Sequence, residues 1–303
     1  MRIAVLRCQK LPKFVTWEIE SPEELFVDYT LLIEAFAERG VEALAVAWDD
    51  PEVDWGKFDL ALIRSTWDYI DDRDRFLATL GRIAGSCRLE NQLDTIRWNS
   101  EKHYLFDLAD ADVRTVPTVQ VSVVEPDDLE LTVSGRGWKT VVLKPRIGAG
   151  SADIHRIPAQ HAVRTLEELY AQDPTKEYIL QPFIETITTE GEWSYVYIAG
   201  ALSHVLIKKP AEGDFRSHGV HGGTVSLAEA SPGDRLQVDA MLKQIQKQFP
   251  FDPLYSRVDV IRAEGRLAIM ELELIEPMLY LGSAPGAAGR LADAAIARAK
   301  LPR

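Results

Sequence analysis

The stretch from Tyr255 to Pro277, YSRVDVIRAEGRLAIMELELIEP, constrains this chain most tightly. Its pattern predicts a β-hairpin: an apolar run over Val258–Ile261, a polar turn with Gly265, and a second apolar run over Leu267–Leu274. Alternation with a period of two puts Leu267, Ile269, Glu271 and Glu273 on one face of the second strand. Ala268, Met270, Leu272 and Leu274 then share the other. Two neighbouring carboxylates on an apolar strand repel each other and resist burial, and Asp259 on the partner strand adds a third. An edge strand with one solvated face would relieve this, and so would a divalent cation. The apolar flanks and the third acid favour the cation, and a set made only of oxygens suits Mg²⁺.

With 303 residues the chain can bury a large core and is expected to form more than one lobe. Its net charge of −13 is spread along the sequence and disfavours nucleic acid as a partner. A nucleotide is not disfavoured, because it needs only a local basic pocket. Cys8 and Cys87 give neither a disulfide framework nor a zinc spacing, and suit a reducing compartment. The opening RIAVLRC is too short and too charged for a signal peptide, and no apolar run approaches membrane-spanning length. The expectation is a soluble cytoplasmic protein with no membrane partner.

Residues 1–98 read as an α/β lobe. Strands are expected at Arg2–Cys8, Val41–Trp48 and Phe58–Arg64, with helices over 24–39, closed by Gly40, and over 72–84. Strand–helix–strand alternation predicts a parallel sheet covered by helices. Ligands of such sheets sit beyond the C-terminal strand ends. Arg7, Cys8 and the turn Arg64-Ser65-Thr66-Trp67-Asp68-Tyr69 are therefore substrate candidates, Arg7 and Thr66 foremost. Such residues also commonly cap helices and close loops.

Further on, Ser100 is the expected N-cap of a helix running through HYLFDLADA, with Lys102 in its first turn. A lysine there opposes the helix dipole and could instead answer to an anion. Val113–Val124 is strand-like after Pro117, and a short helix fits within 125–138. Thr140–Lys144 reads as a buried strand ending in a lysine, followed by a small, glycine-rich loop over 147–153. Such a loop can bring backbone N–H groups close to phosphates, although it matches neither usual glycine-rich phosphate motif. A helix over 161–172 and an apolar strand over Tyr178–Glu185 follow. Glu192–Tyr197 and Ala201–Ile207 form a hairpin. The loop from Asp214 to Thr224 mixes Arg216 with glycines and is read as anion-binding. A metal at His218 and His221 is the weaker reading, for want of a third matching ligand. Helices are expected over 234–249 and Gly286–Lys300.

Taken in order, these features resemble the ATP-grasp superfamily of carboxylate–amine ligases, such as glutathione synthetase, D-alanine–D-alanine ligase and the RimK-type ligases. The features are Lys102, Lys144 before its loop, the Gln181-Pro182-Phe183-Ile184-Glu185 strand, Gly191-Glu192, Arg216 before Gly222-Gly223, and Asp259 before the Glu271-x-Glu273 strand. The resemblance covers roughly residues 97–290. It implies an α/β protein of the ATP-grasp fold with α+β elements: an N-terminal substrate-side lobe (1–98), a central lobe with the glycine-rich lid (99–185), and a C-terminal lobe with the metal site (186–303). ATP would lie between the last two.

The resemblance also implies roles. Lys102 and Lys144 would hold the ATP phosphates, with Gly150 and Ser151 of the lid. Gln181, Phe183 and Ile184 would face the adenine, and Glu185 or Glu192 the ribose. Arg216, with Gly222 and Gly223, would stabilise the phosphoryl group in transfer. Asp259, Glu271 and Glu273 would bind two Mg²⁺ ions, with Mn²⁺ able to substitute. Relatives often carry Asn where Glu273 stands, so this chain adds a negative charge. The implied reaction phosphorylates a carboxylate to an acyl phosphate, which an amine then attacks. Oligomerisation as a homodimer is compatible with the family.

The opening MRIAVLRCQKLPKFVTWEI, the RSTWDY turn, the RWNSEKHYLFDL segment and the FRSHGVHGG loop are similar to the O-ureido-serine cyclo-ligases of cycloserine antibiotic biosynthesis. That implies an amino-acid-like substrate whose own nitrogen closes a ring. The alternatives are an intermolecular ligase of the same superfamily, a metal-dependent hydrolase using Asp259, Glu271 and Glu273, and a non-catalytic nucleotide-binding protein.

Overall fold

The structure is a computed structural model that describes residues 1–9, 26–121, 126–217, 222–249 and 252–302. The His218–His221 segment, most of the opening stretch after Gln9, and the end of the strand expected to reach Val124 lie outside the described residues.

The first sheet is built from β1 (Arg2–Arg7), then α1 (Val27–Glu38), β2 (Glu42–Ala47), β3 (Leu60–Ser65), α2 (Arg73–Ser86) and β4 (Arg88–Glu90). Its order is β2-β1-β3-β4 and every pairing is parallel, as the strand–helix alternation predicts. The helix expected from residue 24 is described from Val27 and ends as expected. Gly40 takes a left-handed φ of +66°, and the N–H groups of Gly40 and Val41 return to the carbonyls of Ala37 and Phe36. That satisfies the last turn of α1 and reverses the chain into β2.

The next segment departs from expectation. α3 (Leu93–Asn99) and α4 (Tyr104–Asp110) are separate helices, and Ser100 is the C-cap of the first rather than the N-cap of the second. Lys102 lies in the turn between them, where its N–H donates to the Arg146 carbonyl at 2.8 Å.

The second sheet comprises β5 (Val119–Gln120), α5 (Pro126–Gly135), β6 (Thr140–Pro145), β7 (His155–Pro158), α6 (Ala162–Gln172) and β8 (Tyr178–Pro182). It is antiparallel in the order β5-β8-β6-β7, and α5 and α6 cover its own core around Leu143, Leu166 and Tyr178. Among the described residues the long strand expected after Pro117 shrinks to Val119–Gln120.

The third sheet follows α7 (Thr186–Thr189) and contains β9 (Glu192–Ile198), β10 (Ala201–Lys209), β11 (Thr224–Ala228), β12 (Tyr255–Ala263) and β13 (Arg266–Glu273). It is antiparallel, ordered β11-β10-β9-β12-β13. α8 (Pro232–Gln248) starts at Ser231, whose hydroxyl accepts from the Asp234 N–H, with proline in the first turn. α8 and α4 pack over one face of this sheet.

α9 (Ala287–Ala299) joins the first and third sheets in one core. Leu291 and Ala295 of α9 cluster with Ile3, Phe36 and Leu62 from the N-terminal region and with Val196 and Tyr255 from the third sheet. The Asp28 carboxylate adds a polar seam by accepting the backbone N–H groups of Leu279, Tyr280 and Leu281.

The predicted hairpin is present as β12 and β13, but its faces are not as predicted. Asp259 pairs with Glu271 while Val260 pairs with Ile269, so Met270 is an extra residue, a β-bulge. Before the bulge, Leu267 and Ile269 face the core under α4 and α8; after it, Leu272 and Leu274 do. Glu271 and Glu273 therefore share the opposite face with Met270 and Ala268, not with Leu267 and Ile269. The bulge is what lets an apolar strand present adjacent acids without burying them in the core.

Candidate active site

The second and third sheets face each other across a cleft with an internal cavity of about 190 Å³. β6 delivers Lys144 to it, 6 % exposed, and the glycine-rich loop over 148–152 follows directly as one rim. Gly150, Ser151 and Asp153 all take left-handed φ values of +55° to +63°. Asp153 ends the loop as an anchor: its carboxylate accepts the Tyr178 hydroxyl at 2.8 Å and a His155 ring nitrogen at 2.7 Å, and pairs with Lys176. Those contacts oppose the effect of burial and hold its carboxyl below the usual range.

Gln181, Phe183 and Ile184 line the cleft as expected. The Gln181 amide donates to the Thr118 hydroxyl, which fixes its rotamer. Ile184 and Phe183 join Ile261 and the bulge residue Met270 in an apolar patch, and the Arg156 guanidinium stacks 3.8 Å from the Phe183 ring centroid. These side chains give the cleft an apolar patch of the kind that lines small-molecule sites.

The opposite wall carries charge. Glu271 Oε1 stands 3.6 Å from Lys102 Nζ and 3.5 Å from Lys144 Nζ. Burial raises its carboxyl, but the two lysines more than offset this and leave it below its ordinary value. Asp259 is almost fully buried. It is held bidentately by Arg257, accepts the Ser194 hydroxyl at 2.6 Å, and lies 3.2 Å from Lys208. Burial opposes its charge, yet Arg257 and Lys208 depress its carboxyl well below the usual range. Glu273 pairs with Arg257. Its carboxyl is nonetheless pushed up to about 7, first by burial and then by Asp259 and Glu271. Lys208 also bonds Glu192 at 2.6 Å; burial and Arg257 disfavour its charge, but Asp259 and Glu192 outweigh them.

Arg257 and Lys208 were not singled out from the sequence. Arg257 could have been, because it stands two residues before Asp259 on one strand and so shares its face. Lys208 pairs with Glu192 in the β9–β10 register, a relation visible only once the hairpin is aligned.

Other expectations are placed differently. Arg216 lines the cleft but forms a bidentate pair with Asp214, whose carboxyl it depresses strongly. Glu192 is turned to Lys208 and to the Ser217 hydroxyl at 2.6 Å. Glu185 is exposed and, like Gly222, Gly223, Arg7 and Thr66, is not among the lining residues. Thr66 is fully buried, and the Arg7 guanidinium donates to the Cys8 carbonyl. The N-terminal region instead contributes Trp67 and Tyr69.

The hairpin's position is set from outside it. Asn91 donates to the carbonyls of Tyr255 and Leu274 and accepts from the Leu254 N–H. Asn99 brackets Leu272 and Leu274 in the same way.

Among the described residues no three acids converge as a ready metal site. The donor set still fits a hard cation: Glu271 and Glu273 are carboxylates on one cleft face, each balanced by cations from other elements. Asp259 would have to exchange Lys208 or Arg257 to join them.

The family described as "D-cycloserine synthetase DcsG, N-terminal domain" matches residues 3–91, and that described as "Prokaryotic glutathione synthetase, ATP-grasp domain" matches residues 114–263. The chain is 31% identical over 291 residues to the cycloserine biosynthesis protein DcsG of Streptomyces lavendulae, covering 90% of this chain and 95% of that protein. The crystal structure of D-cycloserine synthetase DcsG superposes with a TM-score of 0.83 at 27% identity, over 99% of this chain and 100% of that one. The D-alanine–D-alanine ligase of Bacillus anthracis shares the fold, with a TM-score of 0.70 at 15% identity, over 99% and 97% of the two chains.

Proposed function

Because the chain belongs to the DcsG family of ATP-grasp ligases and is an ATP-dependent ligase, we propose that it activates an amino-acid carboxylate and closes a ring with a nitrogen of the same molecule. The cycloserine-type cyclisation of O-ureidoserine is the reaction in view. The observation that carries the ATP part of this reading is the position of Glu271 between Lys102 and Lys144. Two lysines from different elements meet over one carboxylate, and a nucleotide's phosphates would draw both from it.

Lys102 and Lys144 bind and orient the phosphates, with backbone N–H groups of the 148–152 loop beside them. Gln181, Phe183, Ile184 and Met270 hold the base. Glu192 lines the cleft but is engaged by Lys208 and Ser217, while Glu185 lies outside the lining, so the ribose contact stays between these two residues. Arg257, and Arg216 once released from Asp214, face the transferring phosphoryl group as fixed positive charge. The carboxylate oxygen accepts the phosphoryl group and ADP leaves; the substrate nitrogen then attacks the acyl carbon and phosphate departs. The loop and Trp67 keep water from the acyl phosphate. Glu271, Glu273 and Asp259 would hold Mg²⁺, which neutralises phosphate oxygens when bound. Two ions, replacement by Mn²⁺, a homodimer, a cytoplasmic setting and the three-lobe division near residues 98 and 185 belong to the same reading.

The test is ADP release with Mg²⁺, ATP and ureido or aminooxy α-amino acids, with products read by mass. A ring product without added amine supports cyclisation, while dependence on an added amine supports an intermolecular ligase instead. Glu271→Gln should cut turnover by about 10²-fold or more; intact turnover in that variant would sink the mechanism.

A further inference from the structure

Glu276 lies just beyond β13 and lines the cleft beside Tyr69 and Trp67. Its backbone is pinned on both sides. The Trp67 indole donates to the Glu276 carbonyl at 3.2 Å, and Arg64 donates to the Pro277 carbonyl at 2.6 Å. Arg64 is itself 2 % exposed and stacks 4.6 Å from the Tyr255 ring centroid. Arg257 holds the next carbonyl, that of Met278, at 2.9 Å. A backbone so fixed gives its side chain a defined place in the cavity.

The other cleft acids already have cations. Asp259 and Glu273 have Arg257, Glu271 has two lysines, and Glu192 has Lys208. The Glu276 carboxylate receives neither an ion pair nor a hydrogen bond from another side chain among the described residues. Tyr69 is 5 % exposed, opens on the same cavity, and its hydroxyl has no hydrogen-bond partner among the described residues. Both residues line the cavity, where a ligand can take up their unused hydrogen-bonding capacity.

An α-amino acid brings opposite charges on neighbouring atoms. Its carboxylate is drawn to the cationic side of the cleft, at Lys102, Lys144 and Arg257. Its ammonium then needs an acceptor on the other side, and Glu276 is the cleft acid that no side-chain cation pairs among the described residues. An aromatic ring next to a carboxylate further favours a cation.

We propose that Glu276, with the Tyr69 hydroxyl and the Trp67 ring, forms the subsite that recognises the ammonium group of the amino-acid substrate. This rests on the ligase reading above. It makes Glu276 a specificity-determining residue, so that carboxylates lacking an α-ammonium are poor substrates.

The test compares the wild-type enzyme with Glu276→Gln on the accepted amino acid and on its analogue with hydrogen in place of the ammonium. The wild type should prefer the amino acid by about 10- to 100-fold in kcat/KM, the range of one charged hydrogen bond. Glu276→Gln should lose that preference to within about threefold, through the KM for the amino acid, with the KM for ATP and the melting temperature unchanged. Tyr69→Phe should raise the amino-acid KM in the same sense and leave ATP alone. Equal discrimination by wild type and Glu276→Gln, with normal turnover, overturns the proposal alone. Absence of ADP release with every α-amino carboxylate overturns the ligase reading and this proposal with it.

Discussion

Arg257 and Asp259 stand two residues apart on β12 and clasp each other bidentately, Nε 3.0 Å from Oδ1 and Nη2 2.9 Å from Oδ2. Around this pair the rest of the charged wall is arranged. Lys208 leans on its Asp259 side and Glu273 on its Arg257 side.

Replacing Asp259 by Asn should leave Arg257 and Lys208 buried without their shared anion. Losing one partner of a buried ion pair costs about 3–5 kcal/mol. Urea denaturation should show that loss. Adding Lys208→Met should not recover it, because Glu192 then loses the cation it bonds at 2.6 Å. A single variant as stable as the wild type would show that the pair is not what holds this wall.

Lys144→Met should separate nucleotide binding from folding. The substitution keeps the length of a side chain only 8% exposed, while removing a charge that meets Glu271. The KM for ATP should rise about 10- to 100-fold, the scale of one charged hydrogen bond. Thermal melting without nucleotide should move little, and stabilisation by added ATP should weaken in proportion. An unchanged KM would remove Lys144 from the phosphate site.

Gly191→Ala should be destabilising by at least about 2 kcal/mol. Gly191 has φ +92°, and a Cβ there would stand 2.5 Å from the Lys208 carbonyl oxygen. Relief would require moving β10 away from Glu192 at the start of β9, the contact that orients Lys208. Activity should therefore fall along with stability, measured as ADP release and denaturant midpoint on the same preparation.

Stability should decline from acid to neutral pH through Glu90. This residue is fully buried on β4, neither carboxylate oxygen has a hydrogen bond, and Arg88 is 3.8 Å away. Burial pushes its carboxyl up from 4.5 to about 7. The folded state then holds the proton more tightly than the unfolded chain. That contribution is complete below about pH 4.5 and is lost as pH rises through about 7, on the order of 3 kcal/mol. Glu90→Gln should flatten this part of the pH profile and be more stable than the wild type at pH 8, by chemical denaturation at each pH.

Much of this was legible in the sequence, for identifiable reasons. The parallel sheet, the β12–β13 hairpin, Lys144 before its loop and the acids of β13 rest on local patterns that tertiary packing leaves intact. The face of Glu271 was misread because alternation assumes an unbroken ladder, and nothing around Met270 marks an extra residue. The break between α3 and α4 was missed for a related reason. No glycine or proline stands at 100–103, and the Lys102 N–H leaves the helical pattern for a carbonyl forty-odd residues away in β6's exit turn. Arg7 and Thr66 were sensible by topology, yet the chain beyond β3 turns so that Trp67 and Tyr69 reach the cleft instead.

The core shared by β1, β3 and α9 sets an order on synthesis. The first sheet leaves the ribosome early, but α1 covers the face of Ile3 and Leu62 only in part until Leu291 and Ala295 have been made. At about 5–20 residues per second, that wait is on the order of 10 to 40 seconds. Throughout it Ile3, Phe36 and Leu62 lack their final partners, so the nascent chain is most exposed to aggregation at its own beginning.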